Sequence, residues 1–133
     1  MPKSPSRDHA SRLLIFRKLK ALLQEYSPPL VSRGVKTDKT QYHLWSFRPA
    51  VVAGRKKKEF YFAGAIIQKN YVGFYYMPVY THADVRKLLP PELLALLKGK
   101  SCFYIRELSP KLGRQIRGAL KLGFRRYKQS GWI

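Results

Sequence analysis

The chain is expected to fold as one α+β domain, and three observations predict it. The beginning and the end carry apolar residues at helical spacing. The stretch from Gln41 to Tyr80 instead alternates, or runs apolar in strand-length pieces bounded by Gly, Lys and Asn. With 133 residues, 45% of them hydrophobic and 14% aromatic, there is material for one packed core. No apolar run approaches the roughly 20 residues that cross a bilayer. A single cysteine excludes an internal disulfide framework, and neither CxxC nor a paired-histidine zinc motif can be built. The first apolar stretch, Leu13 to Phe16, is broken by Arg17 and Lys18, so no secretory leader is expected and a reducing cytoplasm is.

Met1 to Arg7, with two prolines and two serines, is expected as a loose tail ahead of a single domain over 8–133. A helix is expected from Asp8 to about Tyr26, because Ile15, Phe16, Leu19, Leu22, Leu23 and Tyr26 share one arc at 100° per residue. Ser27-Pro28-Pro29 ends it, since proline offers no helical N–H. Leu30 to Thr40 is polar and irregular and is expected as a linker. Tyr42 to Arg48 alternates, Ala50 to Ala53 is a short apolar run, and Gly54 to Lys58 makes a charged turn. Two strands are expected over Glu59–Ile67 and Tyr71–Tyr80, joined by Gln68-Lys69-Asn70.

If that loop has three residues, Phe62 faces Tyr76, Gly64 faces Phe74 and Ile66 faces Val72. One sheet face then holds Phe60, Phe62, Ile66, Val72, Phe74 and Tyr76; the other holds Tyr61, Ala63, Ala65, Ile67, Tyr71, Gly73, Tyr75 and Met77. A two-residue loop would exchange the partners. Thr81 to Asp84 fits a capping box opening a short helix. Pro91 suits the first position of another, Glu92 to Leu97, with Gly99 as its C-terminal cap. Ser101 to Arg106 reads as a strand, and Ser109-Pro110 opens a last helix to about Gln129.

Charge is the strongest functional signal: 27 Lys and Arg against 7 Asp and Glu leave +20. Such a charge repels itself and is tolerated where anions neutralise it. In the last helix, Arg114, Arg117, Lys121, Arg125 and Lys128 fall within an arc of roughly 80°. Leu112, Ile116, Ala119, Gly123 and Tyr127 lie opposite. No acid occurs from Leu108 to Ile133, so no i,i+4 pair relieves the row. Arg55, Lys56, Lys57 and Lys58 form a second basic patch. A solvated helix face is the plain alternative to a binding surface.

Other candidate chemistry is sparse. Cys102 lies near Lys100 and Arg106, which would favour a thiolate; the alternative is a small residue buried on a strand. His9, His43 and His82 have neither metal-ligand spacing nor a recognisable relation to Cys102. Lys98-Gly99-Lys100-Ser101 contains Gly-Lys-Ser without the spacing of a phosphate loop, and a strand follows it. That basic corner is still expected to suit one phosphate. Tyr61, Tyr71 and Tyr75, with Lys100, Ser101 and Cys102, make a candidate ligand face. It would stack bases, line a pocket, be covered as core, or pair two copies in a homodimer.

Phe60-Tyr61-Phe62-Ala63-Gly64 followed by Tyr71-Val72-Gly73-Phe74-Tyr75-Tyr76-Met77-Pro78 resembles the central hairpin of the YdhG-like domains, a bacterial family of unknown function. Leu97 to Phe103 and the closing Gly131-Trp132-Ile133 resemble its other signatures. The resemblance spans about Gln41 to Ile133. It implies a two-layer fold: a curved antiparallel sheet of about four to five strands with the N- and C-terminal helices on one face. The family is also described as frataxin-like, which implies an iron-chaperone role. The seven acids here (Asp8, Glu25, Asp38, Glu59, Asp84, Glu92, Glu107) are scattered, so no metal ligand and no cofactor is carried over. The expectation is a non-enzymatic domain that binds nucleic acid, a ribonucleoprotein or another polyanion. The alternative is a frataxin-like iron chaperone or small-ligand-binding protein.

Overall fold

A computed structural model describes residues 9–33 and 40–133. The tail expected over Met1 to Arg7, the helix start at Asp8, and residues 34–39 of the expected linker lie outside the described residues. The first helix, α1 (His9–Gln24), buries Ile15, Phe16, Leu19 and Leu23 of the expected apolar arc, while Leu22 is half-buried and Tyr26, also half-buried, lies just beyond the helix end. It gives way to turns ahead of Pro28 and Pro29. The segment beyond these prolines is not all linker. Leu30 is 1% exposed and belongs to the core, and β1 (Val31–Ser32) pairs with the next strand.

Among the described residues, eight strands make two sheets. The larger is antiparallel, in the order β1, β2 (Gln41–Ser46), β5 (Phe60–Ile67), β6 (Val72–Tyr76), β8 (Cys102–Ile105) and β7 (Leu97–Lys98). Six strands stand where about four to five were expected; the edge strands β1 and β7 have two residues each, too short to show a period. The smaller sheet is a hairpin of β3 (Ala50–Val52) and β4 (Arg55–Lys57). The expected charged turn at Gly54 to Lys58 is therefore largely a strand, and the turn itself is Ala53-Gly54.

The central register differs from the expected one by one residue. Ala63 pairs with Tyr76, Ala65 with Phe74 and Ile67 with Val72, so the loop has four residues, Gln68 to Tyr71. A bulge accompanies this: Leu44 pairs with Ala63 but Trp45 with Tyr61, leaving Phe62 as the extra residue on β5. Alternation breaks there, and Phe60, Phe62, Ala63 and Ala65 are all buried toward the helices. Ala63 and Ala65 thus leave the tyrosine face to which simple alternation assigns them. The sixth strand also ends early, at Tyr76, because Pro78 opens a one-turn helix, α2 (Pro78–Thr81).

Short helices α3 (Ala83–Leu88) and α4 (Pro91–Leu94) follow. The capping box does not form. His82 takes the N-cap position without a side-chain bond, Thr81 closes α2, and Asp84 pairs with Arg126. Gly99, at φ +74, serves the β7–β8 turn instead of a helix end. The last helix, α5 (Pro110–Gln129), begins as expected: Ser109 Oγ accepts from the Leu112 amide at 3.0 Å, with Pro110 at N1. Its Gly131 end, φ +79, turns the chain back so that Trp132 stacks on Phe60 at 4.5 Å.

The helices cover one sheet face. Phe62 sits at the centre, its ring 5.3 Å from Tyr127 and 6.1 to 6.4 Å from Tyr26, Phe124 and Tyr76. Each such ring pair adds about 0.5–1.5 kcal/mol beyond its area. The Tyr76 hydroxyl donates to the Ala119 carbonyl, and Tyr127 donates to the Tyr61 carbonyl at 2.7 Å, fixing α5 to the sheet.

Candidate nucleic-acid interface

Helix α5 divides as its periodicity predicts. Ile116, Ala119, Leu120, Gly123 and Tyr127 are buried. Arg114, Arg117, Lys121, Arg125 and Lys128 are all exposed. At 1.5 Å per residue the row is about 21 Å long. Arg117 donates to both carboxylate oxygens of Glu25, at 3.2 and 3.3 Å. Among the described residues no carboxylate lies within ion-pair distance of Arg114, Lys121, Arg125 or Lys128. Three further acids are engaged elsewhere: Glu59 with Arg33 at 2.8 Å, Glu92 with Lys111 at 2.6 Å, and Asp84 with Arg126.

Beside the row runs a groove of about 480 Å³ between α1 and α5, lined by Lys18, Leu22, Glu25, Gly113, Arg114 and Arg117 among others. Lys18 is a cation that sequence reasoning did not connect to the row. Its exposed place on α1 follows from the helical period, but which helix lies alongside follows only from packing.

The second patch, Arg55, Lys56, Lys57 and Lys58, is exposed on and just after β4. The structure relates it to α5 through aromatic rings. Lys57 Nζ lies 5.2 Å from the Phe60 ring, and Phe60 stacks on Trp132, three residues past the end of α5. These rings connect the hairpin to the segment that follows α5, on the side of the buried Tyr127.

Tyr61, Tyr75 and Cys102 come together on the sheet face away from the helices, with Tyr71 at its rim. His43, Trp45 and Tyr104 join them. Alternation within Cys102–Ile105 already pairs Tyr104 with Cys102, but its approach to Tyr71 depends on the register. Tyr61 hydroxyl and His43 Nδ1 are 2.7 Å apart, both in the space that a Cβ on Gly64 would fill. Tyr75 leans over Gly73 in the same way. Tyr71 and Tyr104 stack, centroids 3.8 Å apart and 11° from parallel.

Burial pushes the Tyr61 and Tyr75 phenols above their ordinary values and holds the His43 imidazole below its own. The hydrogen bond to Tyr104, then desolvation, pushes Tyr71 up to about 12. Burial also raises the Cys102 thiol, opposed by a hydrogen bond to Tyr75, so the reactive thiolate expected beside Lys100 and Arg106 is disfavoured.

Lys100 is not on this face. Its Nζ lies 5.2 Å from the Tyr80 ring, at a depression of about 580 Å³ that also includes Arg86, Lys87 and Leu94. Ser101 sits at the β8 end, where its carbonyl accepts from the Tyr76 amide. The expected grouping of Tyr61, Tyr71, Tyr75, Lys100, Ser101 and Cys102 thus divides in two, because the β7–β8 turn carries Lys100 past the sheet edge. No cluster of three or more His, Cys, Asp and Glu occurs among the described residues. No helix among them is long and apolar enough to cross a membrane.

Comparison with protein-family models, curated proteins and solved structures found no match to this chain. The likeness to YdhG-like domains stands on its motif residues alone.

Proposed function

We propose that this protein is a non-enzymatic domain that binds a polyanion, nucleic acid or a ribonucleoprotein, through phosphate contacts from α5. One observation carries the reading: five cations are exposed along a single helix face, and four have no carboxylate partner among the described residues. Their i,i+3 and i,i+4 neighbours are like charges, four contacts that together cost about 1–2 kcal/mol. A phosphate backbone relieves that repulsion. The row's length of about 21 Å matches the rise of about six phosphates along one strand. Lys18 widens the surface toward α1, and Arg55 to Lys58 offer a second exposed basic patch. Contacts to phosphate position a ligand without reading its bases, so weak sequence discrimination goes with this reading.

Binding to duplex DNA over a range of salt tests it. Five neutralised phosphates give a log–log slope near −4.5 by the usual factor of about 0.9 per phosphate. Lys121→Glu with Arg125→Glu lowers both affinity and slope. A flat salt response sinks the reading. The frataxin-like alternative needs carboxylates free to meet a hard cation. Four of the five described acids instead hold arginine or lysine. Anaerobic calorimetry with ferrous iron is expected to show no binding heat.

A further inference from the structure

We propose that the sheet face away from the helices, at its β6–β8 end, stacks the bases of single-stranded nucleic acid. The inference takes its ligand's charge from the polyanion reading and rests on it, but uses none of the α5 residues.

Tyr71 and Tyr104 are partly exposed and stacked at 3.8 Å, close to the rise of about 3.4 Å between successive bases. A base added to either free ring face extends an existing stack. Arg106 stands at the same place, its guanidinium carbon 5.9 Å from each centroid, where it meets a phosphate or a base plane. Tyr75, partly buried, continues the aromatic surface along β6, its ring lying over Gly73, which stands opposite Tyr104.

Cations rim this end. Lys98 is exposed on the edge strand opposite Cys102, and Lys69 is exposed in the loop before Tyr71. Aromatic rings among cations suit an anion with π-faces. In a duplex those faces are already stacked, so only an unpaired strand can present them. A second copy of the chain is disfavoured by +20 meeting +20.

The test is fluorescence anisotropy on the full chain, with labelled oligothymidylate of roughly six nucleotides and a duplex of equal phosphate number. Tyr71→Ala with Tyr104→Ala is expected to weaken oligothymidylate binding about tenfold or more and leave duplex binding unchanged. Tyr71→Phe with Tyr104→Phe keeps the rings and is expected to keep the affinity. Parental affinity in the alanine pair, or an equal loss in the phenylalanine pair, overturns the site. Photocrosslinking of thymidine to the unaltered protein probes the same site without relying on the fold of a variant. Crosslinks at Tyr71, Tyr104 or Arg106 support the site, and crosslinks confined to α5 overturn it. So does a dimer in sedimentation that protects Tyr71 and Tyr104 from modification. Reversal of α5 charges without effect on duplex binding counts against the polyanion reading, whereas silent ring variants count against this site alone.

Discussion

Gly123 of α5 lies against Tyr76 of β6 so closely that a Cβ at position 123 would stand 2.6 Å from the Tyr76 hydroxyl. Pro78 Cγ would be 2.7 Å away. Neither neighbour can retreat easily: Tyr76 is fully buried and bonded to the Ala119 carbonyl, and Pro78 is rigid and buried. This approach seats the helix and turns its cationic side outward.

Three glycines of α5 should therefore respond in opposite directions. Gly123→Ala is expected to destabilise by about 1–3 kcal/mol through overpacking, despite alanine's better helix propensity. Nothing lies within 4 Å of a Cβ at Gly113 or Gly118. Alanine at either is expected to stabilise by about 0.5–1 kcal/mol. Urea unfolding of the three variants checks the ordering, and a stable Gly123→Ala would contradict the seating.

Ala53 and Gly54 have φ of 51° and 80°, both in the left-handed region, and join Val52 to its partner Arg55. This is the two-residue turn that favours Asn-Gly. A β-carbon there costs about 1–2 kcal/mol, which asparagine offsets in part by local hydrogen bonding. Ala53→Asn is expected to slow amide exchange in β3 and β4, and Ala53→Val to speed it. Equal exchange in both variants would count against the turn.

Acid should weaken the fold from near neutrality. Burial holds both His43 and His82 below the ordinary histidine value; Asp84 opposes the shift at His82 and Arg126 adds to it. Below about pH 6.5 the unfolded chain takes up protons that the folded chain refuses. The unfolded state then binds more protons, so stability falls as pH drops through that window and levels off above it. Thermal melting between neutrality and mild acid should show this decline, and His43→Asn should flatten part of it. Rising stability on acidification would exclude the assignment.

The Cys102 thiol is expected to alkylate slowly at neutral pH in the folded protein and quickly in denaturant. Its half-buried place beside Tyr75 raises its pKa, so thiolate is scarce. The rate against pH should rise only above the range of a free cysteine. Fast labelling of folded protein at neutral pH would reverse this conclusion.

The two long helices, α1 and α5, and the division of α5 were legible in the sequence because a 3.6-residue period needs no partner to be seen. Ser109, Pro110 and the apolar positions from Leu112 to Tyr127 state that helix locally, as Ile15 to Leu23 state α1. The inner strands of the sheet were legible as strands, the two-residue edge strands β1 and β7 were not, and the sheet was not legible as a surface. Which side chains share a face depends on the β5–β6 register and on the bulge at Phe62, and both are decided across strands. A shift of one residue exchanges the faces, so Ala63 and Ala65 went to the helices, and the β6–β8 register, with Gly73 opposite Tyr104, brought Tyr104 to Tyr71. The sequence by itself determined that five cations would stand together on a helix exterior. Tertiary structure alone decided that Lys18 of α1 would lie beside the row, because proximity between elements is set by core packing around Phe62, Tyr76 and Tyr127.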